Sequence, residues 1–173
     1  MKPSEKGYTL IELLVAITIM ALASAAAGVG IFQIIRNTER NSNHMAAVLQ
    51  VQNADQRISQ DAKMAQIVTT DNLTPPNFLV LYWIDGNSGD EYQVTYTLEN
   101  MLGSALKELR RNQSVNGSAN VTSLVAQHID PDPENTKCEL INSTLTLTIK
   151  ATMGDGATME SETRTNLVVP RPG

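Results

Sequence analysis

The chain opens with a long apolar segment that has no counterpart further along the sequence. Between Tyr8 and Ile35 there are 28 residues with one charged side chain, Glu12. At about 1.5 Å rise per residue, a helix of this length spans roughly 42 Å, which exceeds the roughly 30 Å hydrocarbon core of a bilayer. Residues 8–35 are therefore predicted to form a membrane-spanning helix.

The apolar pattern then changes to that of an amphipathic helix. Residues 36–67 contain no Pro or Gly, and apolar residues recur there at gaps of three and four: Met45, Val48, Val51, Ala54, Ile58, Ala62 and Ala65. This spacing places them on one helical face. Arg57 and Asp61 lie four residues apart, as an exposed helical ion pair would. We predict one continuous helix whose second half, residues 36–70, packs on the domain that follows.

The rest of the chain, residues 71–173, has the alternation and turn signals of a β-rich domain. Pro75-Pro76 cannot continue a helix and ends it. Four segments have strand patterns: 78–84, 91–98, 145–151 and 164–169.

Two further segments have mixed signals. Residues 105–112 fit either a strand or a short helix, and residues 120–129 have helical spacing with Asn120 as a plausible N-cap. The predicted fold class is α+β. A long N-terminal helix, transmembrane in its N-terminal half, packs by its C-terminal half on an antiparallel β-sheet head.

Charge and cysteine content narrow the range of functions. The net charge is -5, and Lys107, Arg110 and Arg111 form the one local basic cluster, which we interpret as a solvated strand or loop end. Because phosphate binding needs a clustered cationic surface, the acidic balance counts against a nucleic-acid partner. Cys138 is the single cysteine, so no disulfide forms within the chain.

Candidate metal ligands occur in one loop. The loop 85–91 offers oxygen atoms from four side chains: Asp85, Asn87, Asp90 and Glu91. Its Gly and distal Glu are misplaced for an EF-hand, so a hairpin turn is the favoured interpretation and calcium binding the alternative. His44 and His128 lack metal-ligand spacing, and no Ser lies in a G-x-S-x-G elbow. The sequence therefore predicts a protein that is not an enzyme and needs no cofactor.

The N-terminal segment fits neither a secretory signal nor a plain membrane anchor. A secretory signal has a 7–15-residue apolar stretch before a small-residue cleavage site, which Ala23 to Ala27 could supply. Glu12 interrupts that stretch near its start, and the apolar residues continue to Ile35. A carboxylate in a bilayer costs on the order of several kcal/mol, so Glu12 predicts a functional contact with a partner.

The stretch KGYTLIELLVAITIM, from Lys6 to Met20, resembles the cleavage and methylation signature of type IV pilins and pseudopilins. That signature has a short basic leader ending in Gly, then an aromatic residue, then T-L-I-E-L-L-V. One position departs from it, because this chain has Tyr8 where the family usually has Phe. The aromatic size is kept, and the resemblance is confined to the N-terminal segment.

The resemblance implies how the chain is processed and which partners it meets. A prepilin peptidase would cut between Gly7 and Tyr8 and methylate the new Tyr8 amine. Glu12 would then pair with that amine on a neighbouring subunit, since opposite charges in a low-dielectric medium offset each other's burial cost. Further implied partners are other pilin or pseudopilin subunits bound through the N-terminal helix, an inner-membrane assembly platform, and membrane lipid before assembly.

It also implies a division of the chain and a location. The leader peptide would be residues 1–7 and the transmembrane, filament-core helix residues 8–35. The amphipathic half of the same helix would be residues 36–70, and the β-rich head residues 71–173. Lys2 and Lys6 would keep the N-terminus cytoplasmic. The head would lie on the other side of the inner membrane, and later in a pilus or pseudopilus.

A second, more diffuse similarity concerns the subclass. The chain resembles minor pseudopilins of type II secretion systems, most of all the J-type subunit, in three short segments: ISQDAKMAQIV at residues 58–68, LKELRR at residues 106–111 and LTLTI at residues 145–149. Two alternatives stay open: a subunit of a type IV pilus or DNA-uptake pseudopilus, and a single-pass anchored binding domain that does not assemble. The acidic balance counts against DNA uptake.

Overall fold

The computed structural model describes residues 9–171 and has the predicted α+β fold. Helix α1 runs from Leu10 to Met64 and is followed, within the described residues, by eight antiparallel strands. These strands are β1 Ile67–Thr69, β2 Asn77–Ile84, β3 Glu91–Asn100, β4 Lys107–Val115, β5 Val121–Ile129, β6 Lys137–Ile141, β7 Thr144–Met153 and β8 Glu160–Val168. The described residues fall into two compact units that divide between Glu39 and Arg40.

The helix ends earlier than the sequence predicted. It stops at Met64 rather than continuing to residue 70, and Ile67–Thr69 forms β1 against β2. The change begins at Gln66, whose N–H donates to Tyr82 O at 2.9 Å instead of to a carbonyl of its own helix. Pairing with the sheet therefore takes over from the helical pattern before Pro75 is reached.

The prediction of a helix at residues 120–129 is wrong, because this segment forms β5. It contains the β-branched residues Val121, Thr122 and Val125, and it pairs with β4 through two irregularities in register. Cross-strand pairing and β-branched side chains outweigh its helical spacing. The segment 105–112, for which the sequence allowed either a strand or a short helix, lies in β4 from residue 107. The four predicted strands are confirmed as β2, β3, β7 and β8.

The sheet is almost interrupted between β5 and β7, where the two strands pair at one position. The strand order is β1-β2-β3-β4-β5-β7-β6, and β8 also pairs with β7. β5 pairs with β4 from Val121 to Ile129, but its pairing with β7 is confined to Ile129 opposite Ala151. The side of β5 that faces away from β4 is therefore largely without a strand partner.

The core lies between the C-terminal half of α1 and the sheet. On the helix, the buried apolar residues are Ala47, Val51, Ala54, Ile58 and Ala62. The predicted face is thus confirmed in its C-terminal part, whereas Met45 is 60% exposed. Several of these side chains are alanines, which allow the helix backbone to lie close to the sheet. The sheet contributes larger buried residues, among them Leu79, Leu81, Tyr96, Leu109 and Ile149.

A buried polar cluster, defined here as Asp61, Tyr96 and Arg111, ties α1 to the sheet. Tyr96 Oη donates to Asp61 Oδ2 at 2.6 Å. Arg111 Nε donates to the same oxygen at 2.6 Å, and Arg111 Nη2 donates to Asp61 Oδ1 at 3.2 Å. Burial and the neighbouring Asp61 charge raise the pKa of Tyr96. Burial alone would lower the pKa of Arg111, but its hydrogen bond and charge contact with Asp61 give a net upward shift.

This cluster corrects two sequence interpretations. Asp61 is buried and makes its ion pair with Arg111, not with Arg57 on the helix surface. Arg111, taken as part of a solvated basic cluster, is 5% exposed. Both corrections have one cause, since a buried charge is stable only when it is paired and hydrogen-bonded.

Gly154 is required by the turn that joins β7 to β8. Its φ is +79°, and an added Cβ would lie 2.3 Å from Asn43 Nδ2 and 2.8 Å from Thr158 O. Those two atoms are hydrogen-bonded to each other at 2.8 Å, so the glycine leaves room for a contact between α1 and the turn.

We expect Gly154→Ala to lower the free energy of unfolding by about 1–3 kcal/mol, because alanine is strained at this backbone conformation and displaces Asn43. Urea unfolding of the full chain in detergent micelles measures this change. Gly86→Ala is the matched control: an added Cβ meets nothing within 4 Å there, and we expect a change within about 0.5 kcal/mol. Equal effects of the two substitutions would contradict the assigned role of Gly154.

Candidate functional site in the N-terminal helix

Glu12 lies in the first turn of α1 and is hydrogen-bonded to the residue that precedes the helix. Thr9 N–H donates to Glu12 Oε2 at 2.8 Å, and Thr9 Oγ1 donates to the same oxygen at 2.9 Å. In return, Glu12 N–H donates to Thr9 Oγ1 at 3.4 Å. This reciprocal arrangement is a capping box, in which Thr and Glu three residues apart satisfy each other's backbone donors.

The capping box was not predicted, although its sequence signal, T-x-x-E, is present in TLIE. The geometry directs the carboxylate toward the N-terminal end of the helix, where the helix dipole favours negative charge. Thr9 N belongs to the peptide bond that joins Tyr8 to Thr9. Gly7 and Tyr8, the predicted processing residues, lie outside the described residues.

Around Glu12, the first part of α1 is apolar on every side. Its exposed large apolar residues are Leu10, Ile11, Leu13, Leu14, Val15, Ile17, Ile19, Met20, Leu22, Val29, Ile31, Phe32, Ile34 and Ile35. α1 is long and apolar enough to cross a membrane, and its most apolar part is wholly unburied in the described chain. A helix that is apolar all round is typical of a membrane span or a packed helical core.

Glu12 is exposed and, within residues 9–171, its side chain has Thr9 as its one hydrogen-bonding partner. The arrangement can therefore do one thing chemically: it presents a carboxylate, partly neutralised by a helix end, on an apolar surface.

The loop 85–91, the candidate calcium site, is the hairpin turn between β2 and β3. Asp85 Oδ1 accepts the N–H of Asn87 at 2.8 Å. Asp90 Oδ1 accepts a hydrogen bond from Asn116 Nδ2 at 2.7 Å, which lowers the pKa of Asp90, and Asn116 Oδ1 accepts the N–H of Glu91 at 2.8 Å. The described part of the chain holds no group of three or more His, Cys, Asp or Glu that could bind a metal ion. These polar groups stabilise the turn and its contact with Asn116.

The predicted basic cluster is engaged in contacts within the head. Arg111 belongs to the buried cluster with Asp61. Arg110 pairs with Glu108 at 2.7 Å and with Glu99 at 3.3 Å, and Lys107 donates to Asn100. These three positive charges therefore do not form an open surface for nucleic-acid phosphates, which need clustered and accessible cations.

Comparison with known proteins identifies the N-terminal segment. Residues 2–28 match a family model described as the prokaryotic N-terminal methylation motif. No curated protein matches the chain, and no solved structure does. The match supports the type IV pilin and pseudopilin family, whose role is structural and not enzymatic. The matched residues overlap the first part of α1, a helix that is long and apolar enough to cross a membrane.

Proposed function

We propose that the chain is a minor structural subunit of a type II secretion pseudopilus or of a type IV pilus-like filament. It is made as a prepilin, cut between Gly7 and Tyr8, and assembled through α1. One observation carries this proposal: the Glu12 carboxylate is exposed on the apolar first part of α1, inside the methylation motif. A carboxylate in an apolar medium needs a positive partner, and the amine of a processed Tyr8 on a neighbouring subunit supplies one.

The proposed sequence of events follows from this pairing. Residues 8–35 first anchor the chain in the inner membrane, with the leader, residues 1–7, on the cytoplasmic side. Removal of the leader creates the Tyr8 amine, and pairing with Glu12 then favours a helix beside a neighbour over a helix surrounded by lipid. In the filament, the head contacts other minor subunits or a secreted protein.

We expect Gly7→Asp to remain uncut, because a larger, charged side chain replaces glycine at the proposed scissile bond. Ser4→Asp is the matched control, since it adds the same charge to the leader away from that bond, and we expect normal processing. Intact-mass spectrometry of the membrane-extracted chains distinguishes the two forms. Mature chains that begin at Tyr8 in the Gly7→Asp variant would count against the proposed processing site.

Deleting the gene and measuring protein secretion, surface pili and DNA uptake in the same strain tests which assembly system the chain belongs to. We propose loss of secretion or of filaments with DNA uptake intact, because Lys107, Arg110 and Arg111 are engaged within the head. The similarity to minor pseudopilins favours the secretion branch. Intact secretion and pili in the deletion strain would instead favour an anchored binding domain that does not assemble.

A further inference from the structure

The strand edges of the head differ in how well they are protected against pairing with another chain. Exposed edges of a sheet attract further strands, and proteins protect them by keeping them short or by placing charges on them. β1 has three residues. β6 has five and carries Lys137 and Glu139, and β8 carries Glu160, Glu162 and Arg164. Each of these edges is protected in one of the two usual ways.

The free edge of β5 is not protected in this way. Residues 121–127, VTSLVAQ, contain no charge, no Pro and no Gly. Within the described chain they pair with β4 on one side, and on the other side β5 meets β7 only later, at Ile129. Two of their apolar side chains are exposed, Val121 at 71% and Leu124 at 50%. A long, uncharged edge of this kind favours pairing with another strand.

A groove of about 450 Å³ runs between this edge and α1. On the helix side it is lined by Asn53, Gln56, Arg57 and Gln60, and on the strand side by Ser123, Leu124 and Val125. We call this the β5 groove. Its walls combine hydrogen-bonding side chains, one cation and two apolar residues.

One contact at the end of the groove shows how the helix compensates for a missing strand. Gln50 Oε1 accepts the backbone N–H of Gln127 at 2.7 Å, in the place of a strand carbonyl. No backbone–backbone hydrogen bond to another segment is found on the free side of residues 121–126 within the described chain. Those groups are available to a strand from outside.

We propose that the β5 groove binds an extended segment of another pilin-type subunit as an additional β-strand. This inference rests on the proposed function, since it names a head contact within the assembled filament. Backbone hydrogen bonds to residues 121–127 supply the affinity, and side-chain contacts supply the specificity. Seven residues of strand extend over roughly 23 Å, which sets the length of the bound segment.

The groove also specifies the chemistry of that segment. Successive residues of a strand point to opposite faces, so Val121 and Leu124, three positions apart on β5, present apolar side chains on both faces of this edge and favour an apolar residue on each face of the bound segment. Arg57 has no ion-pair partner within residues 9–171, so it favours an acidic residue on the segment. The occupant is therefore an extended peptide with an apolar residue on each face and at least one carboxylate.

A photocrosslinking residue at position 124 tests the proposal in the full-length chain, expressed in its own cells. We expect an adduct that mass spectrometry maps to one continuous segment of another protein with an N-terminal methylation motif. Position 167 on β8 is the matched control, because Leu167 is an exposed leucine on a charged edge, and we expect several-fold less adduct there. Equal adduct at the two positions would overturn the proposal, and an adduct to a protein without the motif would overturn the choice of partner.

Two further measurements distinguish strand pairing from other contacts. Val121→Lys adds a protecting charge to the edge and is expected to lower the adduct at position 124 several-fold, whereas Leu167→Lys leaves it unchanged. Backbone amides of residues 121–127 are expected to exchange more slowly in filaments than in the monomeric chain in detergent. An adduct that persists in Val121→Lys, or unchanged exchange, would overturn the proposed strand pairing.

A crosslinking residue at position 13 in α1 separates this inference from the proposed function. Adducts to pilin-type subunits at position 13 without an adduct at position 124 would overturn the β5 groove proposal and leave helix-mediated assembly supported. Adducts at neither position would overturn both. An adduct at position 124 alone would support the groove and contradict assembly through α1.

Discussion

Replacing Glu12 by leucine is expected to abolish incorporation of the chain into filaments while leaving processing and membrane insertion intact. Leucine favours the bilayer, so the helix inserts at least as well as the wild type. The Tyr8 amine that we propose on a neighbouring subunit, however, would lose its partner. Leaving one charge of a buried pair unpaired costs about 3–5 kcal/mol, and each 1.4 kcal/mol is about a tenfold loss of association.

Glu12→Gln separates the helix cap that this side chain forms with Thr9 from the assembly contact that we propose for it. Glutamine can maintain the capping box with Thr9, because its side-chain oxygen accepts the same backbone hydrogen bond. It has no charge to offer to an amine. We therefore expect Glu12→Gln to assemble as poorly as Glu12→Leu.

Sheared filament fractions, quantified against the membrane fraction of the same cells, measure both variants. A third variant, Glu12→Leu combined with Leu13→Glu, keeps the carboxylate but turns it about 100° around the helix. We expect it to fail as well, because the pairing depends on position. Normal filaments from Glu12→Gln would show that the carboxylate acts as a helix cap and not as an assembly contact.

Replacing Asp61 by asparagine is expected to cause the largest loss of stability in the head. The substitution keeps the size of the side chain but leaves the buried Arg111 guanidinium without a counter-charge. Breaking a buried ion pair by removing one partner lowers the free energy of unfolding by about 3–5 kcal/mol. Trp83 is the only tryptophan and stacks on Tyr92 in the core, so its fluorescence reports urea unfolding of the full chain in detergent.

Two controls isolate the cause of this loss. Glu139→Gln removes a carboxylate from an exposed pair with Lys137, for which we expect a change below about 1 kcal/mol. Asp61→Asn combined with Arg111→Met leaves no unpaired buried charge and is expected to recover much of the stability. If Asp61→Asn unfolds at the same urea concentration as Glu139→Gln, the buried cluster does not hold α1 to the sheet.

The parts of this fold that the sequence predicted are those whose signals are local and repeated. The apolar run after Tyr8 and the three- and four-residue spacing through Ile58 and Ala62 both predict α1, and the alternation of residues 145–151 predicts β7. By contrast, β5 was predicted as a helix because its spacing is ambiguous over ten residues. Its pairing with β4 could not be derived from the segment itself.

The contacts of the charged residues also differ in whether the sequence could predict them. Asp61 has a local candidate partner in Arg57, but its actual partner, Arg111, lies 50 residues further along the chain. Helical spacing gives no information on that contact, which depends on how β4 lies against α1. Glu12 was identified because a lone carboxylate in an apolar run is costly wherever it lies. Its bond to Thr9 is local and was available in the sequence, whereas any contact with a neighbouring subunit depends on assembly.

The most direct test of the central claim is the mass and N-terminal sequence of the mature chain, extracted from the membranes of its own cells. We predict a chain that lacks residues 1–7 and begins with an N-methylated Tyr8. That result would establish that the amine proposed to meet Glu12 exists. A mature chain that begins at Met1, or that has been cut after the alanines at 23–27, would contradict the account, because no amine would then be created four residues before Glu12.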